Sequence, residues 1–285
     1  MGVKDTLFSV KKTLNIRGIL HALERPWIMG IVNLTPDSFY NKSRVQREDD
    51  IVKRVEDMLS DGADLVDLGA YSSRPGATHI SEQEEWERLQ PAIKVILRNY
   101  PETLISVDTF RSSIAWKAYE EGASMINDIS GGQIDDNMFK TISEIRLPYI
   151  LMHMRGDPRT MNTLTTYDNL FKEMINYFES RILELKSSGV NDIIIDPGFG
   201  FSKSLDQNYE LLKNFTYFEV LGYPLLVGLS RKSMIFKQLG VQPSEALNGT
   251  IALNTVSLLK RASILRVHDI KEAKEVVNLV AKLNQ

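Results

Sequence analysis

Eight short apolar runs in this chain each break into polar residues, and those residues form a chemical set. The run ends read Asn33, Asp67, Asp108, Asn127, His153, Asp196, Ser230 with Lys232, and Arg266 with His268. Asp108, Asn127 and Asp196 offer acceptors, with amide donors from Asn127. That suits a flat heterocycle carrying N–H and amino donors along one edge. Charge-assisted hydrogen bonds to such an edge contribute about 1.5–3 kcal/mol each, so two or three give micromolar binding. Arg266 and His268 alternate across RVHD, which puts both side chains on one face beside a helix start at Asp269 and suggests a phosphate site. Lys232 follows an apolar strand and belongs with the site rather than the surface. Any single Asn or Asp also reads as a turn former or helix cap, and Asp108 alone reads as the cap of a helix beginning near Phe110. A ring of eight favours function.

Three loops add to the set. Residues 29–39, MGIVNLTPDSF, run from a strand-like segment into Asn33, Thr35 and Asp37, three oxygen-bearing side chains in a turn. Residues 72–76, SSRPG, hold Arg74 beside Pro75 and Gly76, where it can clamp an anion or orient a nucleophile. In DPGFGFSKS, residues 196–204, Gly198 and Gly200 let backbone approach a ligand closely, and Phe199 and Phe201 supply aromatic walls. His153 has no companion at metal-ligand spacing, and the serines lack the nucleophile-elbow context of a hydrolase. Spacing alone leaves open a paired-carboxylate glycosidase using Asp108 and Asp196, but Arg266, His268 and Lys232 favour an anionic leaving group.

The elements that must position these residues are strands at 27–32, 64–68, 104–107, 124–126, 148–152, 192–195, 224–227 and 263–267, with helical patterns between them. Ser81 with Glu84, and Asp269 with Glu272, have cap spacing, and Gly62, Gly122 and Gly189 fit helix ends. Residues 167–186 carry Leu170, Met174, Phe178, Ile182 and Leu185 on one stripe. Pro91 predicts a kink or restart in a helix over 82–98. Eight alternations predict an α/β fold, a single (β/α)8 TIM barrel spanning residues 1–285 as one domain, with catalysis at the carboxyl ends of its strands. Partial alternation in FSVKKTLNIRG predicts an N-terminal hairpin closing the barrel bottom. The competing architecture is an open doubly wound sheet, weakened by the lack of a G-x-G-x-x-G after the first strand.

Composition narrows the class. The 285 residues carry a formal charge of −3, with 43% apolar and 25% charged side chains, a globular balance. No apolar run reaches the roughly 18 residues of a membrane span. The first residues do not read as a secretory signal, and zero cysteines exclude disulfides, thiolate metal sites and a cysteine nucleophile. These features predict a cytoplasmic protein without a membrane partner. The absence of a long basic run argues against nucleic acid.

Taken in order, MGIVNLTPDSF, SSRPG, SVDT, IND, DPGFGF, GLSRKS and RVHD make nearly the whole chain similar to the dihydropteroate synthase family. The resemblance implies a (β/α)8 barrel that joins 6-hydroxymethyl-7,8-dihydropterin diphosphate to 4-aminobenzoate, releasing diphosphate with Mg2+ present. It also implies a homodimer of folate biosynthesis and a sulfonamide target. By the same resemblance, Asp108, Asn127, Asp196 and Lys232 hold the pterin. Asn33 contacts Mg2+ and diphosphate, and Ser73, Arg74, Arg266 and His268 neutralise the leaving group. Asp108, Lys232, Arg266 and His268 carry catalysis. Ser73, Arg74, Pro75, Phe201, Lys232 and Ser233 form the 4-aminobenzoate pocket, with Phe39 as its cover. The chain departs from the family pattern at Tyr40, Asn41, Lys42 and Ser43, which replace a Gly-Gly pair, at Tyr71 in place of Glu, and at Ser202 in place of Gly. These departures imply a stiffer first loop and a narrower 4-aminobenzoate pocket. Two other readings are a pterin-binding methyltransferase barrel, disfavoured by Arg266, His268 and NLTPDSF, and a non-catalytic pterin-binding protein.

Overall fold

In the computed structural model, residues 10–34, 44–72 and 79–283 are described. The eight expected runs are strands, each within two residues of its predicted bounds: β3 (Trp27–Asn33), β4 (Leu65–Gly69), β5 (Leu104–Asp108), β6 (Met125–Asp128), β7 (Tyr149–Met152), β8 (Ile193–Asp196), β9 (Leu226–Val227) and β10 (Ile264–Val267). Their near-continuous burial follows from a parallel sheet covered on both faces. Helices α1 (Arg44–Ser60), α2 (Glu82–Asn99), α3 (Ser112–Glu120), α4 (Met138–Ile145), α5 (Leu170–Ser187), α6 (Leu205–Lys213), α7 (Ser233–Leu239), α8 (Leu247–Leu259) and α9 (Ile270–Leu283) fill the crossovers.

The strands pair in the order β8-β7-β6-β5-β4-β3-β10-β9, all parallel. The ring closes between β8 and β9 through a single bridge, Ile195 to Leu225, with the Ile195 N–H donating to the Pro224 carbonyl at 2.9 Å. This is the (β/α)8 barrel, not an open sheet. Its seam is the thinnest part of the wall, because β9 has only two residues.

The hairpin is present as β1 (Thr13–Ile16) and β2 (Ile19–Ala22), antiparallel and joined by Arg17 and Gly18 at φ of 51° and 86°. Positive φ at both central residues matches the right-handed twist of a two-residue hairpin. Leu14, Ile16 and Leu23 pack on Trp27, Met29, Leu65, Met125, Ile150, Ile194, Leu226 and Ile264 from the strands, sealing the barrel at the end away from the polar tips. A second apolar shell lies between strands and helices, including the α5 stripe of Leu170, Met174, Phe178, Ile182 and Leu185.

One helix does not restart where expected, and one cap expectation fails. Helix α2 runs unbroken through Pro91. Asp269 does not cap α9 with its carboxylate, which instead takes the Arg231 guanidinium at 2.9 and 2.6 Å. A strong bidentate ion pair outcompetes a single cap bond. Ser81 does cap α2, accepting from the Glu84 N–H at 3.1 Å.

Candidate active site

Sheet register places the tips in one layer. Asn33 pairs with Gly69, Gly69 with Asp108, and Asp108 with Asn127, so three polar side chains and a bare backbone stand side by side at one end of the barrel. A methyl group on Gly69 would lie 3.7 Å from Asp108 Oδ2 and 3.9 Å from Asn33 Oδ1. Asp196 ends β8 across from Met152, and its Oδ1 accepts the Gly198 N–H at 2.7 Å. That bond turns the chain into DPGFGF. Asp108 caps no helix: α3 starts beyond Arg111, with the Ser112 N–H donating to Asp135.

Arg266, expected at a phosphate, reaches over to the carboxylates of the set. Its Nε donates to Asp67 Oδ2 at 2.6 Å and its Nη2 to Asp108 Oδ2 at 2.8 Å, leaving Nη1 without a protein partner among the described residues. Asn127 Nδ2 donates to the same Asp67 oxygen at 3.1 Å. Asp67 is fully buried, and its Oδ1 has no partner among the described residues. It therefore fixes both Asn127 and Arg266. Sequence reading found Asp67 at a strand end but gave it no role, since the partner that explains it lies 199 residues away.

Two lysines wrap the DPGFGF loop. Lys232 Nζ bonds the Phe199 carbonyl and stands 4.5 Å from the Phe201 ring centroid, a cation–π contact. Lys203, unassigned from sequence, is buried beneath the loop and donates to the Gly198 and Phe201 carbonyls at 3.1 and 3.0 Å, with His153 Nδ1 at 3.2 Å. Gly198 takes φ of 71°, and a Cβ there would stand 2.2 Å from the His153 carbonyl oxygen, so only glycine lets these backbones meet. Phe199 is wholly buried and serves the core, whereas Phe201 joins Tyr71, Phe110, Ile129, Met152, Met154 and Met161 in an apolar patch. Ser202 sits at φ of 45°, its Oγ accepting the Arg155 N–H at 3.0 Å and its carbonyl the Tyr167 hydroxyl at 2.9 Å, so its side chain braces the loop after β7. Tyr71 packs edge-on to Phe110 at 5.0 Å.

Ser233 opens α7 directly after Lys232. Just past β10, His268 Nδ1 lies 3.0 Å from Ser230 Oγ. Phe39, Ser73, Arg74 and Pro75, like Thr35, Asp37 and Tyr40 to Ser43, lie outside the described residues.

Burial sets the electrostatics. It pushes Asp108 up to about 7, against the pull of Arg266 and with help from Asp67. Burial raises Asp196 as well, partly offset by Lys232. Lys232 falls to about 8 and Lys203 to about 7 because burial disfavours their charged forms, with Asp196 opposing in each case. His268 drops to about 4, burial again leading and Arg266 adding to it, so its ring is neutral near pH 7. Burial also opposes the charge of Arg266, but Asp67 and Asp108 hold it firmly protonated.

The site thus offers acceptors on one wall, two cations beside them and an aromatic patch at the edge. Residues 29–268 match the family described as pterin binding enzyme. The chain is 40% identical over 260 residues to a dihydropteroate synthase of Escherichia coli strain K12, covering 90% of this chain and 92% of that one. It superposes with a TM-score of 0.89 on the Yersinia pestis dihydropteroate synthase solved with a sulfonamide drug complex, at 36% identity over 95% of this chain and 99% of that one. The Thermus thermophilus enzyme solved with 4-aminobenzoate gives 0.85 at 33% identity, covering 95% and 99%. With this fold, this ring of strand-end groups and these relatives, the chain belongs to the dihydropteroate synthases, within the pterin binding enzymes.

Proposed function

We propose that this transferase of folate biosynthesis holds the pterin of 6-hydroxymethyl-7,8-dihydropterin diphosphate against Asp108, Asn127 and Asp196, with Lys232 at its ring oxygen and nitrogen. The observation that carries this is the single layer of Asn33, Gly69, Asp108 and Asn127, locked from below by Asp67 and Arg266. A preorganised wall of acceptors binds without reorganising its own dipoles.

The reaction forms a bond between the amine nitrogen of 4-aminobenzoate and the pterin methylene carbon. The carbon–oxygen bond to diphosphate breaks, its electron pair leaves on the diphosphate oxygen, and the amine gives up a proton. Departure from a carbon on an electron-rich ring makes the transition state cation-like, so catalysis rests on charge stabilisation and on an aligned amine. His268, the free Nη1 of Arg266, Asn33, Ser73 and Arg74 receive the leaving charge. Phe201, Lys232, Ser233, Ser73, Arg74 and Pro75 enclose 4-aminobenzoate, and Phe39 covers it; sulfonamides compete at this pocket.

Among the described residues no cluster of three His, Cys, Asp or Glu is placed to hold a metal, but the Asn33 amide oxygen beside Asp108 suits a hard cation bound mainly through substrate phosphates. When bound, Mg2+ supplies charge neutralisation to the diphosphate. We further propose a cytoplasmic homodimer. Leu239, Leu259, Leu279 and Leu283 on α7, α8 and α9 are more than half exposed, apolar side chains of the kind a second copy would cover. Among the described residues no helix is long and apolar enough to cross a membrane.

Purified protein is expected to release diphosphate only when both substrates and Mg2+ are present; absence of release under every condition overturns the reading. Chelation with EDTA should weaken binding of the pterin diphosphate while leaving binding of the free pterin unchanged, a difference titration calorimetry reads directly.

A further inference from the structure

His268 can present either of two faces to an anion. A neutral imidazole has one N–H donor and one bare nitrogen, and only the N–H side attracts a phosphate oxygen. Which nitrogen carries the hydrogen is decided by what the other one meets.

Ser230 meets it. This serine is 4% exposed, three residues past β9, and among the described residues its Oγ has two contacts, both to His268: the backbone N–H of His268 at 3.3 Å and ring Nδ1 at 3.0 Å. The backbone N–H can only donate, so Oγ is the acceptor there. The hydroxyl has one hydrogen of its own, shut away from solvent, and among the described residues Nδ1 is the acceptor in reach. Were Nδ1 protonated, Oγ would accept twice and its hydrogen would be buried without a partner, at a cost that buried polar groups rarely carry. We propose that Ser230 is a positioning residue that donates to Nδ1 of His268, fixing the ring as the Nε2–H tautomer so that it offers a hydrogen-bond donor to the departing diphosphate.

The surroundings favour a neutral donor over an imidazolium. Arg54, Arg231 and Arg266 all raise the potential at the ring, and Asp269, the acid facing it, is spent on both Nε and Nη2 of Arg231. The cationic work is left to arginine, while the histidine contributes direction. A serine without a hydrogen to give would let the ring tautomerise and turn a lone pair toward the phosphate. The proposal rests on the diphosphate role of His268, and its tests separate the two.

The measurement is the tautomer itself, by long-range proton–nitrogen NMR on enzyme labelled with 15N-histidine. The chain has four histidines, and His268→Ala identifies the relevant signals. In the unsubstituted enzyme the proposal requires a protonated Nε2 and a bare Nδ1; a protonated Nδ1 overturns it without any variant at Ser230. Ser230→Ala is expected to give a mixture of tautomers and to weaken inorganic diphosphate binding by about three- to ten-fold, the share of one hydrogen bond. Ser230→Thr, which keeps the hydroxyl, should restore both. If His268→Ala binds diphosphate unchanged, the leaving-group role of His268 falls and the proposal with it. If His268→Ala loses affinity while Ser230→Ala keeps both its affinity and a single tautomer, the positioning role of Ser230 is overturned and the leaving-group role of His268 stands.

Discussion

In the proposed binding mode Asp108 and Lys232 face the same substrate, their ionisations lie close together, and their signs set a window. Asp108 gains its charge as pH rises through about 7, so it becomes a full acceptor above that point. Lys232 loses its proton above about 8 and with it the charge next to Asp196. Affinity for the pterin is therefore expected to be bell-shaped, rising through the first value and falling through the second. Calorimetry across the range should show Asp108→Asn abolishing the acidic limb and costing about ten-fold in affinity. At this scale the sequence was informative about type and mute about partners. Asp108, Asn127 and Asp196 were legible as acceptors because each ends an apolar run. Asp67 ends one too, but its bond to Arg266 links β4 to β10, and no local pattern records a contact made only when the barrel closes. The two carboxylate partners of Arg266 went unread for the same reason: they meet it only when strands stand side by side.

At the scale of elements, the loop after β8 shows how backbone geometry was partly visible. Gly198 and Gly200 were read as letting backbone approach a ligand, and what stands against them within the protein is the His153 carbonyl and the Lys232 stem. Gly198→Ala is expected to cost at least about 2 kcal/mol, through both positive φ and a steric overlap with fixed backbone. Urea unfolding measures that cost, and a raised KM for 4-aminobenzoate would report the displaced Phe201. The Lys203 staple beneath the loop was not legible, since a lysine two residues past a phenylalanine looks like any solvated one. Pro91 misled in the opposite direction: a proline signals a break locally, yet α2 continues through it, with Leu89, Ala92, Ile93 and Ile96 buried on either side.

For the whole molecule, the two ends of the barrel do different work, and this division was readable from the chain because apolar starts and polar tips recur eight times. The hairpin end holds stability. Leu14 is completely buried there, so Leu14→Ala should destabilise the enzyme by about 2–5 kcal/mol while both KM values stay unchanged. Chemical denaturation alongside steady-state kinetics distinguishes that outcome from any effect transmitted to the site.

The thin closure between β8 and β9 gives the barrel a place to breathe. One bridge at Ile195 and Leu225 is all that joins two strands whose tips lead to Asp196 on one side and Lys232 on the other. In the proposed binding mode a pterin held by both residues would span the gap, like a clasp across a cuff. Amide hydrogen exchange at Ile195 is therefore expected to be faster than at Ile150 on the continuous wall in the free enzyme, and to slow selectively when pterin binds. The weakest hydrogen-bonded joint of the scaffold would then be completed by the substrate itself, coupling occupancy of the pocket to the integrity of the barrel.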